Sequence, residues 1–153
     1  MKPAKYFIWI LPAAAAVTIF VFSSQPAGES SRLSNAIVMK ITDFLSCIMP
    51  SGDTEELFAR LSVLVRKAAH VFEYTVFYLT LMAAWYVWGF RKLKLIGSSM
   101  LAVFLYACTD EIHQLFVDGR AGRFTDVLID CLGAAVISII LIVVMGCRRA
   151  EKN

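Results

Sequence analysis

Three short stretches of the chain carry side chains that do chemistry. The first reads Arg66-Lys67-Ala68-Ala69-His70-Val71-Phe72-Glu73-Tyr74. Spacings of three and four put Lys67, His70, Glu73 and Tyr74 on one helical stripe. The second reads Thr109-Asp110-Glu111-Ile112-His113-Gln114, where Asp110, His113 and Gln114 share a face with Glu111 beside it. The third holds Asp126 and Asp130, again four apart, and Gly133 continues their face and lets another helix come close. His70 and Glu73 suit a general acid/base pair, because both titrate usefully when desolvated. Their plainer reading is an interhelical hydrogen-bonded lock. Asp110 and Glu111 suit cation binding or proton abstraction, against plain pairing with Lys67 or Arg120. Asp126 and Asp130 read first as partners for arginines, and His113 stays a candidate only. No serine or cysteine is expected in the cluster as a nucleophile, which favours direct water or proton chemistry.

The loop Phe116-Val117-Asp118-Gly119-Arg120-Ala121-Gly122-Arg123-Phe124 joins the second and third stretches. Gly119 and Gly122 allow tight turns there. Arg120 and Arg123 then stand over the cluster, and their forked guanidinium groups suit carboxylate or phosphate. Glu73, Asp110, Glu111, Asp118, Asp126 and Asp130 outnumber the fixed bases Arg66, Lys67, Arg120 and Arg123 by two. Imidazolium from His70 and His113, protonated carboxyls, or a divalent cation would each close that gap. A divalent-metal site drawn from His70, Glu73, Asp110, Glu111 or Asp126 is the lesser alternative, because no tight ligand motif appears.

The elements that position these residues are read from composition. The 153 residues are 59% apolar or aromatic and 18% charged, with a mean hydropathy of +0.68. A soluble domain averages about 45–50% apolar and about 25% charged. Disorder is excluded, and a soluble globular enzyme of this size would leave too much apolar surface in water. A net charge of +3 without a basic block argues against nucleic-acid binding. Cys47, Cys108, Cys131 and Cys147 form no redox or zinc spacing, although Cys108 and Cys131 could lie at neighbouring helix ends. The expected fold is all-α, a polytopic membrane helix bundle forming a single domain over residues 1–153.

Four apolar stretches are long enough to span a bilayer: about 6–22, 69–90, 95–114 and 127–147. The first, with Lys2 and Lys5 ahead of it, has a signal peptide as its rival reading. Between the first two spans, Ser23 to Gly28 reads as a break. Leu33, Ile37, Ile41, Phe44, Leu45 and Ile48 then predict an amphipathic helix capped at Ser30 or Ser31 and ended by Pro50, Ser51 and Gly52. It lies in the interface or on the bundle. A second helix starts near Asp53 or Thr54 and runs into the second span.

Alternating topology puts the start of span two, the end of span three and the start of span four on one side. Leu95 to Thr109 makes roughly 22 Å of helix against a hydrocarbon core of roughly 30 Å, so Asp110 and Glu111 fall below the headgroups. A charge at the bilayer centre costs about 2.5–3.5 kcal/mol, so these groups must be paired, protonated or bound to a cation. Lys2, Lys5, Arg91, Lys92, Lys94, Arg148, Arg149 and Lys152 crowd into short segments, whereas the bases opposite them are spread out. Both termini are therefore expected in the cytoplasm, with the polar cluster extracytoplasmic. Trp85 and Trp88 are expected near the far interface.

These blocks resemble the VanZ-like integral membrane family. The resemblance rests on Ser23-Ser24-Gln25 after the first span and on Lys67, His70, Glu73 and Tyr74 in a Lys-x-x-His-x-x-Glu-Tyr block. It rests also on Asp110-Glu111-x-x-Gln114-x-Phe116-x-x-Gly119-Arg120 followed by Asp126, Asp130 and Gly133. The family pattern admits Asn at the place of Asp130, which ranks Asp130 below Glu73, Asp110 and Glu111. The resemblance implies a role at the cell envelope, and for the namesake resistance to teicoplanin-type glycopeptides. The first expectation is a membrane protein that shields or binds an envelope target, with an anionic lipid-linked or lipidated ligand as partner. An acid/base or metal-assisted enzyme on a lipid-linked substrate is the alternative, and a proton-coupled transporter or flippase the third. The candidate catalytic residues are His70, Glu73, Asp110 and Glu111. Lys67, Gln114, Arg120, Arg123, Asp126 and Asp130 are the candidate ligand-binding residues.

Overall fold

The computed structural model describes residues 4–48 and 54–150. Every described element is helical, in the order α1 (Ala4–Phe7), α2 (Ile10–Ser23), α3 (Ala27–Ile48), α4 (Thr54–Val87), α5 (Lys92–Gln114), α6 (Phe124–Asp130) and α7 (Leu132–Ala150). Lys5–Ser23, Lys92–Gln114 and Leu132–Arg149 are each long and apolar enough to cross a membrane. Their apolar character fits association with a lipid bilayer. The stretch read as the second span begins inside α4 and ends just past it, since the helix stops at Val87; α4 carries Arg66, Lys67 and Glu73 and is less apolar. α4 is the central helix, packed against α2, α3, α5, α6 and α7. Arg66, Lys67, His70 and Glu73 are half-buried against these neighbours, whereas Glu56 and Arg60 near the helix start are exposed.

Sequence signals explain most boundaries, and three need correcting. The first span is broken at Ile8-Trp9, one turn before Pro12, whose ring excludes the carbonyl four residues back. The amphipathic helix starts at Ala27, not Ser30 or Ser31. The Pro26 carbonyl accepts from the Glu29 and Ser30 amides, and the Ala27 amide donates to the Asp118 carbonyl at 3.2 Å. The fourth span is two helices, α6 from Phe124 and α7 from Leu132, interrupted at Cys131. The Pro50-Ser51-Gly52 break and a start at Asp53 lie outside the described residues, and α4 opens at Thr54 and runs unbroken for 34 residues.

The core joins Ile19 of α2, Tyr74, Phe77, Tyr78 and Leu81 of α4, Val103 and Ala107 of α5, Val127 of α6, and Ala134 of α7. The Tyr106 hydroxyl donates to the Ala16 carbonyl at 2.6 Å, which ties α5 to α2. Among the described side chains of α3, Ser34 and Val38 are buried, while Ile37 and Ile41 are exposed. The apolar stripe expected on α3 thus does not all turn toward protein. A helix beside a bilayer can leave such residues to lipid. Cys108, Cys131 and Cys147 are free thiols. At the end of the bundle opposite the polar cluster, Trp9 meets Trp85 at 4.8 Å and Tyr6 meets Trp88 at 5.5 Å, both edge-on. Arg91 sits over Tyr86 beside them. This grouping has the composition of an aromatic membrane belt.

One hydrogen bond links α4 to α7 in the core. The Ser138 hydroxyl donates to the Ala134 carbonyl at 2.7 Å, so the Tyr78 hydroxyl, 2.7 Å from Ser138 Oγ, is the donor between them. Replacing Ser138 with alanine orphans a buried phenol and should cost about 1–3 kcal/mol. Adding Tyr78→Phe should recover part of that loss. Thermal unfolding of the single and double variants in detergent checks it, and purely additive losses would contradict the pairing.

Candidate functional site

The expected convergence of the three stretches is what the helices build. α4 supplies His70, α5 supplies Asp110 and α6 ends on Asp130. One ligand-capable atom from each of these residues lies within 4.8 Å of the others. Asp110 is 4% and Asp130 3% exposed, and His70 is half-buried. His70 Nδ1 and Asp130 Oδ2 are buried without a hydrogen-bond partner. Tyr74, fully buried, stands against Asp110 and near Tyr106.

Gln114 organises the neighbouring carboxylates. Its side-chain amide donates to Ser23 Oγ at 3.0 Å, to Asp110 Oδ2 at 3.3 Å and to Glu111 Oε1 at 3.3 Å. Two amide hydrogens serve three acceptors, so at least one bond is shared. The other Glu111 oxygen accepts the Arg123 backbone N–H at 2.7 Å. Gly122 makes that possible by proximity. A Cβ there would collide with the Glu111 carbonyl, so the loop crosses the end of α5 in direct contact. Gly119 has φ +73, the left-handed turn expected of it.

The structure redirects several expected pairings. Lys67 pairs with Asp126 at 2.9 Å, not with Asp110 or Glu111, and Asp126 thus takes a lysine rather than an arginine. Arg120 gives two of its five N–H donors to backbone, Nε–H to the Gln25 carbonyl at 2.9 Å and Nη2–H to the Phe22 carbonyl at 3.1 Å. It caps the C-terminal end of α2, where a cation is favourable. Burial and the nearby Arg66 charge hold its guanidinium below the usual arginine pKa. The Arg123 side chain is exposed, and only its amide reaches the cluster. His113 turns toward α2, stacked on Phe20 at 4.9 Å. The Ser24 hydroxyl donates to the Phe20 carbonyl, so His113 Nε2–H donates to Ser24 Oγ at 3.1 Å.

Ser23 is the residue that sequence reasoning missed. It is fully buried and bonded to Gln114, so a serine does border the cluster. Its signal is the Ser23-Ser24-Gln25 block, which marks a break and carries part of the family resemblance but gives no place in the cluster from spacing alone. Cys131, also buried, follows Asp130 directly.

Two adjoining cavities open on this cluster. One, of about 170 Å³, is bordered by Lys67, Glu111, Gln114, Asp126 and Asp130. The other, of about 210 Å³, is bordered by Glu73 and Gln25 and by the apolar side chains of Phe22, Ile37, Val65 and Ala69. Arg66, His70 and Arg120 line both and form the wall between them. Arg123 lines neither.

Residues 7–145 match the VanZ/LLP1 family. The chain belongs to the VanZ/LLP1 family. No curated protein and no solved structure matches the chain. The three blocks through which the sequence resembles VanZ-like proteins are far apart along the chain and meet at one end of the helix bundle. Ser23 touches Gln114, Lys67 touches Asp126, and Arg120 holds the end of the Ser23-Ser24-Gln25 segment. In this VanZ/LLP1 chain, spacing that is only a pattern in sequence is therefore a set of direct contacts.

Proposed function

We propose that this protein is a four-span envelope membrane protein whose paired cavities bind the anionic head and adjoining apolar portion of a lipid-linked or lipidated envelope ligand. Through that binding it acts in resistance to teicoplanin-type glycopeptides. α4 supplies the second span, both termini are cytoplasmic, and the cluster faces outward, in line with the crowding of lysine and arginine at the opposite end. The observation that carries the reading is the shared wall. Arg66 and Arg120 line both a cavity bordered by Lys67, Glu111, Asp126 and Asp130 and one with an apolar side formed by Phe22, Ile37, Val65 and Ala69. Guanidinium groups at the junction suit phosphate or carboxylate, and the apolar side suits a lipid chain. Because the Arg123 side chain lies outside both cavities, headgroup recognition rests on Arg66, Lys67 and Arg120.

A second reading, an enzyme acting on the same class of ligand, is favoured by one observation. His70 and Glu73 border the apolar-sided cavity together, so a base and an acid face the same bound molecule. Transport has less support. Among the described residues no carboxylate falls in 74–109 or 131–150, so nothing continues a proton path toward the far end.

The test is teicoplanin susceptibility in a host lacking this protein, with membrane abundance measured for each variant. Wild type should raise the inhibitory concentration several-fold. Asp110→Asn and Glu73→Gln, which keep size but remove charge, should lose most of that gain at unchanged abundance. No protection by wild type would overturn the resistance role. Protection by both variants would remove the cluster charges from it. Mass analysis of the extracted lipid-linked pool separates binding from catalysis, because only an enzyme leaves a changed product.

A further inference from the structure

We propose that His70, Asp110 and Asp130 are the protein ligands of a divalent transition-metal ion held between α4, α5 and α6. Three helices each contribute one donor, and the donors already lie within 4.8 Å of each other. Zinc holds nitrogen and oxygen ligands at about 2.0–2.2 Å, which places neighbouring ligands roughly 3–4 Å apart. Small side-chain rotations complete that geometry. The proposal does not need the headgroup reading, because it concerns the ion alone.

The second observation is a pair of orphan atoms. Asp130 is 97% buried by its 3% exposure, and its Oδ2 has no partner. His70 Nδ1 is buried and unpartnered too. Buried polar atoms are rarely left in this state, and an ion between them satisfies both. Of the nearby cations, Lys67 is engaged by Asp126 and Arg120 by backbone carbonyls. Asp110 is oriented as metal-binding carboxylates are, with Oδ2 accepting from the Gln114 amide.

The donor set selects the class of ion. Calcium and magnesium favour all-oxygen shells, whereas an imidazole nitrogen with two carboxylate oxygens suits zinc, manganese or ferrous iron. Three protein ligands leave a coordination position open, as in catalytic rather than structural sites. His70 and Asp130 both line the 170 Å³ cavity, so that position faces space a water or phosphate oxygen can enter.

Metal binding to the full-length chain in detergent tests the proposal. The protein is stripped with a chelator and titrated with Co²⁺, whose visible absorption reports nitrogen and oxygen ligation. Wild type should bind a single Co²⁺ per chain, release it to zinc, and unfold at higher temperature with zinc than without. Asp130→Asn and His70→Gln should each weaken binding by at least about 100-fold and lose the zinc-dependent rise. Glu56→Gln, an exposed carboxylate on α4 that lines neither cavity, should bind within a few-fold of wild type. Should Asp130→Asn fail to fold, the half-buried His70→Gln and the wild-type titration still decide. Absence of saturable Co²⁺ binding by wild type, or unchanged binding in His70→Gln, overturns the site. Either result leaves the lipid-ligand reading standing, since susceptibility is measured separately.

Discussion

Replacing Gly133 with alanine should destabilise the protein by about 1–3 kcal/mol, and valine by more. The sign is the opposite of intrinsic propensity, since alanine inside a helix is favoured over glycine by about 1 kcal/mol. The reason is the approach of α7 to α4. A Cβ at Gly133 would overlap the Thr75 hydroxyl and would stand 3.1 Å from Thr75 Cβ and 3.3 Å from the Val71 carbonyl. Thr75 cannot yield freely, because its hydroxyl donates to that same carbonyl at 2.6 Å. The helices must separate, which also loosens Asp130 one turn earlier. Thr75→Ala in the same chain should return part of the loss by removing the hydroxyl but not Cβ. Thermal unfolding in detergent measures all three variants. A Gly133→Ala protein as stable as wild type would mean that α4 and α7 are not in this contact.

The Gln114→Leu variant should lose a few kcal/mol and fall in membrane abundance. Leucine has nearly the same volume, so packing is not the cause. One amide serves Ser23, Asp110 and Glu111, and its removal leaves three buried acceptors short of a donor. Each such orphan costs about 1–3 kcal/mol, with charged groups at the upper end. Gln114→Glu should be worse at neutral pH, since it adds a negative charge beside two carboxylates and removes the donor. Acidification should recover part of that loss, because a protonated glutamic acid again donates. Ser23→Ala should be mild by comparison, because the amide keeps its other two acceptors. Equal stability of Gln114→Leu and Ser23→Ala would show that the amide does not hold the carboxylates.

Much of the layout was legible because membrane helices and intramembrane charge leave strong marks. Apolar runs of span length outlined the bundle, and helical spacing grouped Lys67 with His70, Glu73 and Tyr74. Direction alternation alone put the start of α4's apolar half, the end of α5 and α6 on one side. That Gly133 marks a close helix approach was also readable, because glycine on an otherwise apolar face has few other reasons to be there.

Which groups pair was not readable, because pairing depends on heights and rotations that residue spacing leaves free. Lys67 could reach any of several carboxylates, and the packing of α6 against α4 assigns it to Asp126. Arg120 and Arg123 look alike in sequence. The turn at Gly119 sends the first to the end of α2, and the crossing at Gly122 leaves the second with only its amide on Glu111. Ser23 joins the cluster solely because α2 ends beside Gln114. Composition and periodicity thus determined by themselves that the chain is a helical membrane bundle with the carboxylates of its apolar helices gathered at one end. Only the tertiary structure decided that His70, Asp110 and Asp130 share one point in that end. The position of a side chain on its own helix follows from a period of 3.6 residues, whereas distance between helices follows from how they pack.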